Sequence, residues 1–319
     1  MAHDNSTVTT ADGGERSGGV DYAAQRRLPS VLRPLIDNDG LRFGLQVLPW
    51  LSVLTFFVFL PLAAIFVWSV AIPKPFGFEL GFTLANFQTF VDSYRLGIFF
   101  ATIGEGVLLV VLSLIFGFPI AYYAGIRKRH SKYTFPVMLL FAIPFLTNYI
   151  LRTLSWISFL GNDGVFNSAL MLLGVINEPL SWLLYSEFAV RVGMLASYLP
   201  FMIFPAWLAM SRIDDEILQA STDLGASPLA TIRHIVLPLS IPGLLIGSVF
   251  VFVGVLGESV VPVILGGGNV SLIATVINNA VNSARLPLAS AISAVLLLFA
   301  VVLLLLWEYL FGLKTVGEI

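Results

Sequence analysis

Residues 211–243 read SRIDDEILQASTDLGASPLATIRHIVLPLSIPG, a polar island between two long apolar runs. Asp214 is placed to cap a helix, with Asp215 and Glu216 in the first turn, where the helix dipole favours carboxylates. Gly225 supplies the stop, because glycine accepts the left-handed backbone that ends many helices. Ser227 caps a second helix, and Pro228 takes its first position, where a missing N–H costs nothing. That helix runs toward Leu237, and Pro238 marks a break or kink. The segment reads as helix, sharp turn, helix. Ile213, Ile217, Ala220 and Leu224 recur at helical spacing, which sets them on one face. A short helix with a small-residue face suits a groove in a partner. The simpler alternative, an amphipathic helix lying on a bilayer, leaves the turn unexplained.

The runs on either side are far from the soluble norm. The chain of 319 residues is 57% hydrophobic and 11% charged, against roughly 25% charged in soluble domains. Its mean hydropathy is +0.91. So few charges cannot cover a soluble globule. A helix needs about 20 apolar residues to cross hydrocarbon. Six runs qualify, over 45–72, 98–124, 134–155, 183–210, 235–257 and 286–311. The expected fold is an all-α membrane protein of six transmembrane helices. A polar, disordered tail over 1–42 precedes the domain at 43–311. The polar coupling segment is 212–238, and 312–319 is a short C-terminus.

Loop charges orient the spans. With six spans both termini share a side. That side collects Arg16, Arg26, Arg27, Arg33, Arg42, Arg127, Lys128, Arg129, Lys132, Arg212, Arg233 and Lys314, most of the 17 basic residues. The positive-inside bias makes it the cytoplasm. Trp68, Trp156 and Trp182 then fall near outer span ends, as an aromatic belt would. On the outer side, GNDGVFNSALMLLGVINEP (161–179) holds a short apolar stretch. It reads either as an interfacial or re-entrant helix or as an ordered loop.

Catalytic classes find no support. Cysteine is absent, so there is no disulfide framework or thiolate site. His3, His130 and His234 are scattered. No G-x-x-x-x-G-K-[ST] phosphate loop occurs. The run Gly266–Gly268 lacks its lysine and reads as a flexible outer loop. The chain is not an enzyme on this reading and binds no cofactor or metal.

Polar groups in the spans mark the candidate pathway, since a charge at a helix centre costs on the order of 3 kcal/mol. Glu105, Glu187 and Glu258 fall on the outer half. Three carboxylates there suit a cation such as a polyamine, and Tyr198 and Trp207 could add cation–π attraction. Structural alternatives stand beside this. Glu187 and Arg191 are four residues apart and can pair on one helix face. Glu105 can hold a hydrogen bond between helices. Pro200 and Pro205 either kink the fourth span and open a cavity or mark ordinary packing irregularity.

The 219–238 stretch resembles the EAA motif of ABC-importer membrane subunits, written E-A-A, three residues, G, nine residues, I-x-L-P. Ala220, Asp223, Leu224, Gly225, Ile235, Leu237 and Pro238 fit, with Ala226 just after the glycine. Gln219 stands where glutamate is usual, and Ser221 replaces the second alanine. The similarity reaches from about 45 to 311. Within the family the likeness is to spermidine/putrescine-type permeases. It is carried by SYLPFMIFPAWLAM (197–210), by residues 161–180, and by VGVLGESVVPVILGGGN (253–269), where Glu258 holds the place of an acidic residue. Permeases for opines and other small organic solutes share these features.

The resemblance implies a type I importer permease in a bacterial inner membrane. Its partners would be a second permease (a different chain), two ATPase subunits carrying ATP and Mg2+, and a periplasmic binding protein, with no nucleic acid. Asp215 and the motif residues would then couple to the ATPase. A loss of the ion pair at Gln219 shifts that contact toward shape and small side chains. The alternative of another class is a self-sufficient secondary transporter. Inverted repeats would mark it, and none is evident.

Overall fold

The computed structural model describes residues 39–74, 77–129 and 131–311. The expected C-terminus at 312–319, most of the expected tail, and His3 and His130 lie outside them. The chain divides at Leu62 into two units. The described part of the first is helix α1 (Asp39–Leu54), a wider π turn (Thr55–Phe59) and the start of α2 (Leu60–Ser69). Helix thus begins inside the stretch expected to be tail. Trp50 and Phe57 are exposed there, as lipid-facing residues are.

The second unit carries the rest of α2, a small hairpin of β1 (Ile72–Pro73) and β2 (Phe78–Glu79), and helices α3 (Ala85–Val91) and α4 (Tyr94–Tyr122). A second π turn (Tyr123–Arg127) extends α4. Then come α5 (Thr134–Leu146), α6 (Tyr149–Leu160), α7 (Val165–Leu172), α8 (Glu187–Ser211), α9 (Asp215–Asp223) and α10 (Pro228–Thr231). A third π turn (Ile232–Val236) leads into α11 (Leu237–Leu256), followed by α12 (Val260–Leu265), α13 (Ile273–Asn282) and α14 (Leu286–Phe311).

Among the described residues, five helices are long and apolar enough to cross a membrane: Val47–Ser69, Tyr94–Arg127, Glu187–Ser211, Pro228–Leu256 and Leu286–Tyr309. The third expected span, 134–155, is not one helix. It breaks at Thr147–Asn148 into α5 and α6, of 13 and 12 residues. Thr147 turns extended, and the Asn148 side chain accepts from the N–H groups of Ile150 and Leu151. That cap satisfies the donors a helix start leaves open. The surrounding hydropathy stays high across the break, so composition alone runs through it. The apolar stretch of 161–179 does form a helix, α7. Helices α12 and α13, between the last two spans, were not anticipated.

Two of the three π turns have a common cause. Leu60 and Leu237 each donate to the carbonyl five residues back, Thr55 and Ile232. Each directly precedes a proline, Pro61 and Pro238. Proline offers no N–H and crowds the carbonyl four residues back. The wider turn relieves that crowding without ending the helix. The expected break at Pro238 is therefore a π turn inside a continuous span. Pro200 and Pro205 leave α8 a single α-helix.

The core lies among α4, α8 and α11. Leu109, Met194, Met202, Ala206, Val251 and Val255 are buried there. Glycines let the backbones touch, as small residues do between membrane helices. A Cβ at Gly247 would lie 3.0 Å from the Met202 Cα. A second cluster joins α3, α4, α13 and α14 through edge-to-face contacts of Phe99 with Phe90 and Phe299. The Thr102 hydroxyl on α4 accepts from the Ile273 N–H at the start of α13.

Candidate functional site

The polar island folds as helix, turn, helix. Asp214 sits at the cap position of α9 with an extended backbone, but its side chain makes no cap bond. Asp215 is bound instead, its Oδ1 accepting from Arg129 Nη1 at 3.0 Å. At the other end Gly225 takes φ +79°. Its N–H donates to Thr222 O at 2.9 Å, and Ala226 N–H donates to Ser221 O at 3.1 Å. This pair of bonds is a Schellman turn, which needs the left-handed residue that glycine supplies. No atom lies within 4 Å of a Cβ built at Gly225, so the backbone and not space demands glycine. Ser227 Oγ then accepts from Ala230 N–H, with Pro228 at the first position.

This turn divides the segment into two faces. Leu218 and Ser221 look inward, Leu218 packing on the core and Ser221 buried. Ile217, Gln219, Ala220, Asp223 and Leu224 are exposed, Leu224 at 88%. Ile213, expected on the same face as these, precedes the helix and is buried. Beyond the turn Ile235 is half-buried, while Leu237 and Pro238 are exposed.

Two contacts that pattern did not disclose hold the segment. The Ser221 and Thr231 hydroxyls lie 2.7 Å apart. Arg129 also reaches Met210 O and Ile213 O. Ser221 at an alanine position was the only local signal. Arg129 lay among loop charges counted for orientation.

The acidic candidates form two groups. Glu105 on α4 takes a forked pair from Arg191 on α8, with Nε 3.1 Å from Oε2 and Nη2 2.5 Å from Oε1. The same Nη2 is 2.9 Å from Glu187 Oε2. The Glu187–Arg191 pair expected from spacing is present, and the hydrogen bond between helices expected of Glu105 is made to the same guanidinium. The cluster carries two carboxylates against one cation. The side chain of Glu187 is 67% exposed.

Glu258 is different. It is 3% exposed. Oε1 accepts from the N–H groups of Val260 at 2.8 Å and Val261 at 3.0 Å. Oε2 accepts from the Tyr149 hydroxyl and lies 2.8 Å from that of Tyr198. Both oxygens are thus taken by the chain's own donors. The structure brings Tyr198 to Glu258, and sets Arg191 seven residues earlier on α8, about 10 Å along the axis. Trp207 lies toward the opposite end, beside Gly125, away from the acidic residues. The run Gly266–Gly268, expected to be a flexible loop, packs on Tyr185. A Cβ at Gly267 would lie 2.7 Å from the Tyr185 ring, and Asn269 donates to Tyr185 O at 3.0 Å.

Comparison with known proteins bears on the family and the fold. Residues 96–312 match the model of a family described as "binding-protein-dependent transport system inner membrane component". The spermidine/putrescine transport system permease protein PotB of Escherichia coli K12 is 30% identical over 258 residues, covering 80% of this chain and 93% of the relative. PotB of Haemophilus influenzae is 30% identical over 212 residues, 66% of this chain and 73% of the relative. A solved bacterial ABC transporter, involved in the import of the acidic polysaccharide alginate, has a chain that superposes with a TM-score of 0.62. The match is 20% identical and covers 88% of this chain and 98% of that one. At that identity it speaks for the fold.

Proposed function

We propose, from the premise that the chain belongs to the family of binding-protein-dependent transport system inner membrane components, that it lines the path of a polyamine across the membrane. It is a multi-pass inner-membrane permease of an ABC importer and works with other subunits of that transporter. The finer assignment is our reading. Two ATPase subunits hold ATP and Mg2+, a second and different permease completes the pathway, and a periplasmic binding protein delivers a spermidine- or putrescine-like solute. The polar segment 212–238 and both chain termini face the cytoplasm.

The exposed face of α9 carries this reading. Ile217, Ala220, Leu224 and Gly225 present an apolar, small-residue ridge fixed by the Schellman turn. Such a ridge fits a groove in a partner. Asp215, Gln219 and Asp223 flank it, and the Ile235–Pro238 stretch joins it to the span. Motion of the ATPase pair would move α9 as a lever. The relatives' substrates and the net negative Glu105–Arg191–Glu187 cluster favour a cation. Exposed Glu187 is the carboxylate best placed to meet one, with Glu258 and Tyr198 shaping the wall behind it and Trp207 near the inner end.

The test is purification of tagged chain in mild detergent after co-expression with the ATPase, second permease and binding protein of a spermidine/putrescine-type importer from the same genome. Stoichiometric retention of the ATPase, and ATP-dependent spermidine uptake in proteoliposomes, are expected. A folded chain that retains no ATPase, or that transports alone on an ion gradient, would overturn the reading.

A further inference from the structure

The end of one span, the end of another and the start of the docking helix meet at a single side chain. Arg129 follows the π turn that ends the Tyr94–Arg127 helix. Its Nε donates to Gly125 O at 3.0 Å on its own helix. Nη2 donates to Met210 O at 3.1 Å and to Ile213 O at 2.6 Å, where α8 ends and the chain turns toward α9. Nη1 donates to Asp215 Oδ1 at 3.0 Å, in the first turn of α9. The side chain is only 18% exposed.

Each contact has a physical reason. The last carbonyls of a helix lack partners within it and carry the negative end of its dipole. Met210 O is one of them. A guanidinium offers five donors in a rigid fork, so it can hold several acceptors at fixed angles. The two spans must also approach closely for one side chain to reach both. Gly125 allows this, since a Cβ there would lie 3.0 Å from the Met210 Cβ and 3.2 Å from Trp207 O. The N–H donated from Lys128 to Tyr123 O closes the π turn just before Arg129 and sets its course.

The geometry points to Arg129 as the positioning residue that carries displacement of α9, and of the α8 end joined to it, into α4. This rests on the reading of α9 as the ATPase-docking helix. A push on α9 reaches α11 through the chain and the Ser221–Thr231 contact. It reaches α8 through the short link 212–214, and Arg129 is the separate route into α4. Without it the docking helix and the end of α8 can shift while α4 stays behind.

The experiment compares wild type, Arg129→Ala and Arg129→Lys in the full transporter reconstituted in proteoliposomes. ATPase retention, ATP hydrolysis and spermidine uptake are measured in each. The expected result for Arg129→Ala is retained ATPase and continued hydrolysis, with uptake per ATP falling roughly tenfold, within the range typical of coupling between distant sites. Arg129→Lys keeps the charge but not the fork, and falls between the two; it decides the matter where Arg129→Ala is not recovered folded. Unchanged uptake per ATP overturns the proposal. So does loss of the ATPase from the variants alone, which would make Arg129 a builder of the docking surface. An ATPase that fails to bind even wild type overturns the permease reading, and this proposal with it.

Discussion

The hydroxyls of Ser221 and Thr231 lie 2.7 Å apart across the glycine turn, joining the buried side of α9 to the helix that enters the next span. Serine stands here where the motif that the segment resembles has alanine. The extra hydroxyl thus closes the turn from inside. Ser221→Ala is expected to loosen it by about 1 kcal/mol, the usual net value of a hydrogen bond. Amide exchange across 219–231 should quicken by several-fold while the span cores stay protected. A double change with Thr231→Val should add little more. Additive losses would show that the two hydroxyls act separately.

Gly225→Ala forces a side chain into φ +79°. A left-handed residue costs about 1–2 kcal/mol outside glycine. The expected outcome is a weakened Schellman turn and reduced ATPase retention in pull-down, with Gly225→Asn nearer to wild type. Equal retention by all three would mean that turn geometry does not control docking.

Arg191→Met removes the cation between Glu105 and Glu187. The Arg191 side chain is 35% exposed, so the loss should be about 1–3 kcal/mol, below that of a fully buried pair. Thermal unfolding in detergent measures it. Adding Glu105→Gln should recover part of the loss. If the double variant is less stable than the single, like-charge repulsion is not the cause.

Glu258→Gln places a donor NH2 among four donors. Either the Val260 and Val261 amides or the Tyr149 hydroxyl loses an acceptor, at about 1–3 kcal/mol, while Tyr198 keeps Gly254 O. Tyr198→Phe should cost less, about 1 kcal/mol. The expected signature is a lowered thermal midpoint with little change in apparent affinity for spermidine. A raised KM at unchanged stability would instead make Glu258 a solute contact.

A larger side chain at Gly247 meets Met202 on the facing helix. Gly247→Leu should cost roughly 1–3 kcal/mol by overpacking. Folded yield on gel filtration checks this. Normal yield would imply that α8 and α11 can part without harm.

The membrane class, the positions of five spans and the helix–turn–helix of the polar island followed from the sequence because they rest on local rules. Hydropathy needs only a window of about 20 residues. The turn needs only Gly225, Ser227 and Pro228 in order, each with a backbone preference of its own. Even helix α7 was visible as an apolar stretch between glycines.

What the sequence could not decide was which side chain finds which partner. The break at Asn148 depends on one cap inside an apolar run. Arg191 could be paired with Glu187 from spacing alone, but Glu105 is 86 residues away and meets it only when α4 packs on α8. Glu258 read as an open carboxylate on a span. Folding brings Tyr149 and Tyr198 onto it from 109 and 60 residues away and closes it. Arg129 read as one of several loop cations, and only the close approach of two helices at Gly125 gives it three acceptors beyond the one on its own helix. The polar segment that marked the fold was thus legible in its turn and its exposed ridge. Its attachment to the spans was not, because a long-range contact is fixed by packing of whole helices and leaves no periodic trace in the chain.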